Sequence, residues 1–284
     1  MRTRYVMSTL LLFMLAISSK SYGHDKPELL EGPYLGQNPP GSTPKIFAPN
    51  GLSTEHRDGS PFFSPDMKEL YFTRKNHKDG KWSLITFKSE NNRWHESVIG
   101  PRVGRPIITP DGKMMHLGKH YMERTDTGWS KVKSLGPLFK NFRIMRLMSS
   151  SIGTYYFDEA TESGPIRYSR LIDGKHEKPK ALNIALGKWN AHPFIAPDES
   201  YIMWDSEKDT GFGSNDLYIS FRQGDGSWGS AINLGAKINT GAEEGGAYVT
   251  PDGKYLFFNR YINEENAGIY WVDAQIIKTL RPKL

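Results

Sequence analysis

The sequence predicts an all-β fold, a five-bladed β-propeller of four-stranded antiparallel blades whose ring is closed by an N-terminal strand. Three observations predict it: a recurring turn motif, the spacing of its copies, and the number of strands that fit between them. The 284 residues include no cysteine, which excludes disulfides, thiol chemistry and cysteine–zinc sites.

The recurring motif is Ser/Thr-Pro-Asp-Gly between two apolar runs, seen most clearly in residues 249–259. Proline suits the second position of a type I turn, and a glycine at the last position of the turn allows a positive φ. Each copy therefore predicts a β-hairpin. Met67 and Glu199 replace the glycine in two copies, where we expect backbone strain of about 1 kcal/mol. A degenerate copy at residues 149–157 keeps only Gly153 and the apolar strand after it.

The copies fall at positions 66, 111, 152, 198 and 252, so successive spacings are 45, 41, 46 and 54 residues. Repeats of this length with several short strands are typical of propeller blades. One unit reads as strands 193–196, 201–205, 216–222 and 231–234. The last unit has strands 247–250, 255–259 and 268–277 but lacks a fourth, and residues 45–48 align with the missing one. An unpaired edge is an aggregation hazard, so this segment is predicted to close the ring.

The N-terminus predicts export to the periplasm or outside the cell. Residues 1–23 combine Arg2 and Arg4 with a short apolar run and small residues before His24, which indicates a signal peptide. Residues 24–44 form a Pro/Gly-rich extended segment, and residues 45–284 a single propeller domain. Cleavage would reduce the formal net charge from +6 to +3, because Arg2, Arg4 and Lys20 would be lost. We therefore expect no nucleic-acid partner, no membrane span after cleavage, and a monomer.

The hairpins resemble the TolB-type propeller repeat, also called the WD40-like Pro-Asp repeat. The resemblance covers roughly residues 45–277 and includes two further segments, Asn215-Asp216-Leu217-Tyr218 and Trp228-x-x-Ala231-Ile232-Asn233-Leu234-Gly235. It implies a propeller fold, but propellers of this kind serve as protein-docking modules, as peptidase lids and as lyases of oligouronides. Function must therefore come from the site.

The first strand of each blade lines the central channel, so matched positions on these strands should form rings. Alignment on the turns gives one ring of Ser60, Arg105, Arg146, His192 and Gly246, and another of Asp58, Val103, Ile144, Asn190 and Glu244. The basic ring favours an anionic ligand such as a uronate, a phosphate or a peptide carboxylate. Alternatively, Arg105 and Arg146 pair with Asp58 and Glu244 and only keep the channel solvated.

The main hypothesis is a non-catalytic exported propeller that binds a protein, cell-envelope or anionic ligand through Arg105, Arg146, His192, Asp58, Glu244 and Trp189. Trp189 is the candidate for sugar stacking, although a tryptophan is more often a core residue. The alternative is a carbohydrate-active enzyme, a glycosidase or oligouronide lyase, that uses Asp58, Glu244 and His192. No Gly-x-Ser-x-Gly elbow or His-Glu-x-x-His motif is present, and we expect no cofactor and no metal.

Overall fold

A computed structural model describes residues 30–48, 57–59, 61–76, 78–263 and 267–282. The predicted signal peptide lies outside these ranges, so it stays a prediction. Within them, no helix has the length and apolar character needed to cross a membrane. The described residues form five four-stranded antiparallel blades, which confirms the predicted propeller.

The first two blades each contain a strand that is interrupted and therefore appears as two short segments. Strand β1 (Lys45–Ile46) precedes the blades and belongs to the last of them. Blade 1 contains β2 (Arg57–Asp58), β3 (Phe62–Phe63), β4 (Glu69–Lys75), β5 (Trp82–Glu90) and β6 (Arg93–Pro101). Blade 2 contains β7 (Ile107–Ile108), β8 (Met114–Leu117), β9 (His120–Thr125), β10 (Gly128–Trp129) and β11 (Lys133–Ser134).

The next two blades follow the same strand order, which runs from the channel outward. Blade 3 contains β12 (Leu147–Ser149), β13 (Tyr155–Asp158), β14 (Ile166–Ser169) and β17 (Lys180–Ala181), and carries the hairpin β15 (Leu171–Ile172) and β16 (Lys175–His176). Blade 4 contains β18 (Lys188–Ile195), β19 (Tyr201–Glu207), β20 (Asp216–Phe221) and β21 (Ile232–Asn233). Two short 3-10 helices lie outside the blades, at Pro33–Gly36 and Pro137–Phe139.

Blade 5 is completed by the N-terminal strand, as predicted. It contains β22 (Glu243–Val249), β23 (Tyr255–Tyr261) and β24 (Ala267–Asp273), and β1 pairs with β24 through Lys45↔Trp271 and Ile46↔Tyr270. The prediction of a strand over residues 268–277 is wrong at its end. The strand stops at Asp273, whose carboxylate accepts the Gln275 N–H at 2.9 Å, and helix α1 (Gln275–Leu280) follows.

The Pro-Asp-Gly turns have the predicted backbone geometry. In each copy the last residue has a positive φ: 60° at Met67, 72° at Gly112, 58° at Glu199 and 72° at Gly253. In three of the four Pro-Asp turns the hydroxyl before the proline donates to the aspartate two residues later, as Thr250 does to Asp252 at 2.7 Å, and the fourth turn has Ala196 at this position. These turns therefore fix where every first strand ends.

A strap formed by residues 31–36 crosses blades 1 and 5 on the face that carries these turns. Tyr34 and Leu35 are buried and have positive φ values of 52° and 59°. The Tyr34 hydroxyl donates to the Asp252 carboxylate, and the Trp94 indole N–H donates to the Gly32 carbonyl at 2.7 Å. The strap thus covers the junction at which the ring closes. The predicted domain boundary at residue 44 stays a prediction.

Candidate ligand-binding site on the central face

We call the face on which the first strands begin the central face. It is built from the connections between blades and from the loops between the second and third strands of each blade. The opposite face carries the Pro-Asp-Gly turns. The predicted residues whose side chains the structure describes lie on the central face or in the channel just beneath it: Arg105, Arg146, Trp189, His192 and Glu244.

Arg146 lies in the channel, where its side chain holds three blades together. It is fully buried, and its guanidinium donates to the carbonyls of His192 at 3.1 Å, Ala247 at 2.9 Å and Gly246 at 3.3 Å. The ring of Phe62, from blade 1, lies 5.0 Å from the guanidinium carbon. Burial, and then the positive charge of Arg105, lower the pKa of Arg146 to about 9, so the group is charged at neutral pH.

Two buried carboxylates that the sequence reasoning missed connect the same blades. One oxygen of Asp158 accepts the backbone N–H groups of Met145 at 2.8 Å and Arg146 at 3.0 Å, and the other accepts the N–H of His192 at 2.9 Å. Asp205 has the same role in the next blade, because it accepts the Gly246 N–H at 2.8 Å. Asp158 and Asp205 both lie on the second strands of their blades. Their partners in the following blade, His192 and Gly246, are 34 and 41 residues further along the chain.

His192 stands beside Asp205, with its ring nitrogen Nδ1 3.0 Å from both carboxylate oxygens. Its backbone has a φ of 49°, and β18 has register shifts on both sides of Ala191. The other ring nitrogen, Nε2, is buried and has no hydrogen-bond partner among the described residues. Asp205 thus fixes the orientation of the imidazole, which the surrounding channel encloses.

Glu244 does not pair with Arg105 or Arg146. It is fully buried and accepts hydrogen bonds from the Thr240 N–H at 2.9 Å, the Thr240 hydroxyl at 2.6 Å and the Arg260 Nε at 2.7 Å. The pairing of Glu244 with Arg260 had a signal in the sequence, because each residue lies eight positions from Asp252, on opposite sides of the turn. The two residues face each other across the hairpin. Glu244 therefore has a structural role, and its predicted role in ligand binding remains untested.

Among the described side chains, the other members of the carboxylate ring add no carboxylate to Glu244. Asn190 is buried, and its amide donates to the carbonyls of Gly164 at 3.2 Å and Gly187 at 2.8 Å. Asp58 lies in β2 opposite Arg74, but its side chain is outside the described residues, as is Ser60. No group of three or more His, Asp or Glu side chains in the described ranges could hold a metal ion.

A cavity of about 310 Å³ opens between blades 2 and 3 beside this channel. Its polar lining consists of Arg102, Arg105, Lys119 and His120, and no Asp or Glu stands among the described residues that line it. Gly118 makes the wall possible: it has a φ of +69°, and a Cβ there would lie 2.8 Å from the Ile144 carbonyl oxygen. The cavity is therefore a positively charged recess on the central face.

Trp189 lies on the same face, at the start of β18. Its side chain is 49% exposed and its φ is 51°, so the expectation that it is a core residue is not met. Its backbone N–H donates to the Glu162 carbonyl of blade 3 at 2.8 Å. Of the six predicted ligand residues, Arg146 and His192 are in contact, and Arg105 lies close enough to lower the pKa of Arg146. Trp189 lies at the surface.

Comparison with solved structures agrees with this architecture. TolB from Acinetobacter baumannii has a TM-score of 0.52 with this chain and is 15% identical, over 78% of this chain and 53% of that one. The chain has the fold of a TolB-type β-propeller. It spans about half the length of the A. baumannii protein. An endo-arabinase from Bacteroides thetaiotaomicron has a TM-score of 0.50 and 14% identity, over 84% of this chain and 97% of that one. No family model and no curated protein matches the chain.

Proposed function

We propose that this TolB-like propeller is an exported, non-catalytic binding protein that takes a protein or cell-envelope ligand on its central face through an anionic group. The observation that supports this best is the cavity between blades 2 and 3, whose polar lining is cationic. A recess with low-dielectric walls strengthens the attraction between such cations and an anion. The TolB-type fold is consistent with a binding role.

Exposed apolar side chains on the same face support a docking role. Six of the twelve large apolar side chains that are exposed among the described residues lie in the loops and connections of this face or, in the case of Trp189, at the start of β18: Val103, Leu138, Met145, Trp189, Phe212 and Ile262. Val103 and Met145 also line the cavity. A face that carries both exposed apolar groups and a charged recess suits a ligand that buries apolar surface and presents a negative charge.

The test is a binding measurement by calorimetry with two anionic probes, trigalacturonate and a Glu-rich decapeptide. We expect Arg102→Ala combined with Lys119→Ala to weaken binding at least tenfold, and Arg105→Ala to weaken it further. The matched control is Lys131→Ala combined with Lys175→Ala, which removes two exposed lysines outside the cavity. Binding should also weaken as salt is raised from 50 to 500 mM, roughly as screening shortens the Debye length. Equal affinities in the cavity and control variants would contradict the proposal.

A carbohydrate-active enzyme is the second candidate, and the His192–Asp205 pair is the observation that favours it. A carboxylate on Nδ1 orients an imidazole as it would a general base. However, Nε2 is buried, and Asp158, Asp205 and Glu244 all accept internal hydrogen bonds. We therefore expect no reducing ends and no unsaturated products from arabinan or polygalacturonate. Turnover that is lost in His192→Ala would establish the enzyme instead.

A further inference from the structure

Trp189 is unusual among the tryptophans of this chain. Of the seven, all of which the structure describes, only Trp189 is exposed; Trp94, Trp204 and Trp271 are buried and the others half-buried. The half-buried ones have visible partners, as Trp129 and Trp228 do under the guanidiniums of Arg124 and Arg222. Trp189 has no ring or cation partner of this kind among the described contacts.

The backbone also holds Trp189 in a conformation that a side chain disfavours. Its φ of 51° lies in the left-handed region, and β18 loses its regular register between Lys188 and Ala191. This irregularity turns Asn190 inward and leaves both Lys188 and Trp189 exposed. Strained backbone of this kind clusters at functional sites, so it makes Trp189 a candidate for contact with a ligand.

A single carboxylate links the strand of Trp189 to the cationic cavity. Asp158 accepts the N–H of Met145, which lines the cavity, and the N–H of His192, three residues after Trp189. The flat aromatic surface and the cationic recess are therefore held in a fixed relation on one face. A ligand that contacts both needs an apolar face for stacking and a negative charge.

We infer that the central face binds an acidic oligosaccharide, with one sugar ring stacked on Trp189 and a carboxylate or other anionic substituent of the chain in the cavity lined by Arg102, Arg105 and Lys119. A sugar ring offers C–H groups on its face and hydroxyls at its edge, which suits an exposed indole next to the exposed polar side chain of Lys188. A peptide anchor would instead require a pocket around the aromatic ring. The inference rests on the proposed function and names its ligand class.

The experiment compares trigalacturonate, the neutral β-1,4-galactotriose and the Glu-rich decapeptide by calorimetry and by tryptophan fluorescence. Trigalacturonate should change the fluorescence saturably, because Trp189 is the exposed reporter. We expect Trp189→Ala to weaken trigalacturonate binding at least tenfold and Trp189→Phe to weaken it less, since phenylalanine keeps an aromatic face. Galactotriose should bind at least tenfold more weakly than trigalacturonate and should be insensitive to Arg102→Ala combined with Lys119→Ala.

The outcomes separate this inference from the proposed function. If only the peptide binds, and its binding is lost in the cavity variants but unchanged in Trp189→Ala, the acidic oligosaccharide is ruled out as the ligand. The proposed anion-binding function would then still hold. Binding of neither probe would overturn both. Equal binding of trigalacturonate to the wild type and to Trp189→Ala would overturn the stacking role. Circular dichroism melting of each variant shows whether it is folded, and Trp189→Phe provides a second variant if Trp189→Ala is not.

Discussion

Replacing Arg146 tests whether a buried guanidinium holds the ring together. Arg146→Met keeps most of the side-chain length and fills the channel, but it removes the charge and every donor. The carbonyls of His192, Gly246 and Ala247 would then lose the partner that they share. They belong to blades 4 and 5, whereas Arg146 leads into blade 3, so the loss falls on contacts between blades.

The expected loss of stability is the difference between two large quantities. Each hydrogen bond from a charged donor contributes about 1.5–3 kcal/mol, so three contribute about 4–9 kcal/mol. Against this, the wild type bears the cost of burying the guanidinium, several kcal/mol, which the lowered pKa of Arg146 reflects. The variant also leaves three buried carbonyls without this donor, and a buried acceptor that loses its donor costs about 1–3 kcal/mol in general. We therefore expect Arg146→Met to lower the free energy of unfolding by about 3–5 kcal/mol.

The assay is equilibrium urea denaturation followed by circular dichroism and tryptophan fluorescence. The control is Arg143→Met, three residues earlier, where the side chain is exposed and the change should stay within about 0.5 kcal/mol. Arg146→Lys keeps the charge but not the planar fork, and should lie between the wild type and Arg146→Met. A loss below about 1 kcal/mol in Arg146→Met would refute the reasoning, because the hydrogen bonds would then only offset the burial.

Three further predictions concern stability. Burial, and then the nearby His176, lower the pKa of His116 to about 3, whereas this histidine takes up its proton near pH 6.5 in the unfolded chain. The free energy of unfolding should therefore fall by up to about 1.4 kcal/mol per pH unit as the pH drops from 6.5 to 3. His116→Phe should flatten the dependence of the unfolding free energy on pH, whereas the control His95→Phe, at an exposed position, should not. Equal slopes of unfolding free energy against pH in the two variants would contradict this. Tyr34→Phe removes the strap's hydrogen bond to Asp252 and should cost about 1–2 kcal/mol in urea, whereas an unchanged midpoint would show the bond to be dispensable. Met67→Gly should stay within about 1 kcal/mol of the wild type because it relieves a positive φ, whereas Glu199→Gly should cost at least about 2 kcal/mol because it also breaks the ion pair with Arg222. Similar losses in the two variants would contradict the contribution assigned to this ion pair.

The fold could be predicted because its signals are local and repeated. A Pro-Asp-Gly turn fixes one hairpin within a few residues, and four clear copies fix the period and hence the number of blades. The closing strand was predictable because residues 45–48 align with the one strand that the last unit lacks. Helix α1 was not, since its apolar residues continue the pattern of the strand before it and only the Asp273 carboxylate marks the break.

The site was harder to predict because its decisive contacts join residues that are distant in sequence and reach backbone atoms. Alignment placed Arg146 and His192 correctly at the channel, but it could not show that the guanidinium turns toward three carbonyls. The roles of Asp158 and Asp205 were invisible for the same reason, because any carboxylate can accept from a backbone N–H and the sequence does not mark which one it reaches.

The buried network also changes which residues should be expected to meet a ligand. A charge that is fully enclosed and hydrogen-bonded cannot reach a ligand without losing contacts that hold the blades together, so Arg146 and Glu244 are poorly suited to direct recognition. Arg102, Lys119 and Trp189 can be changed without opening the channel, because their side chains lie at the surface. Variation at these surface positions could therefore alter ligand preference while the ring stays intact. Substitutions at Arg146 should first reduce stability, and any loss of binding should follow the unfolding.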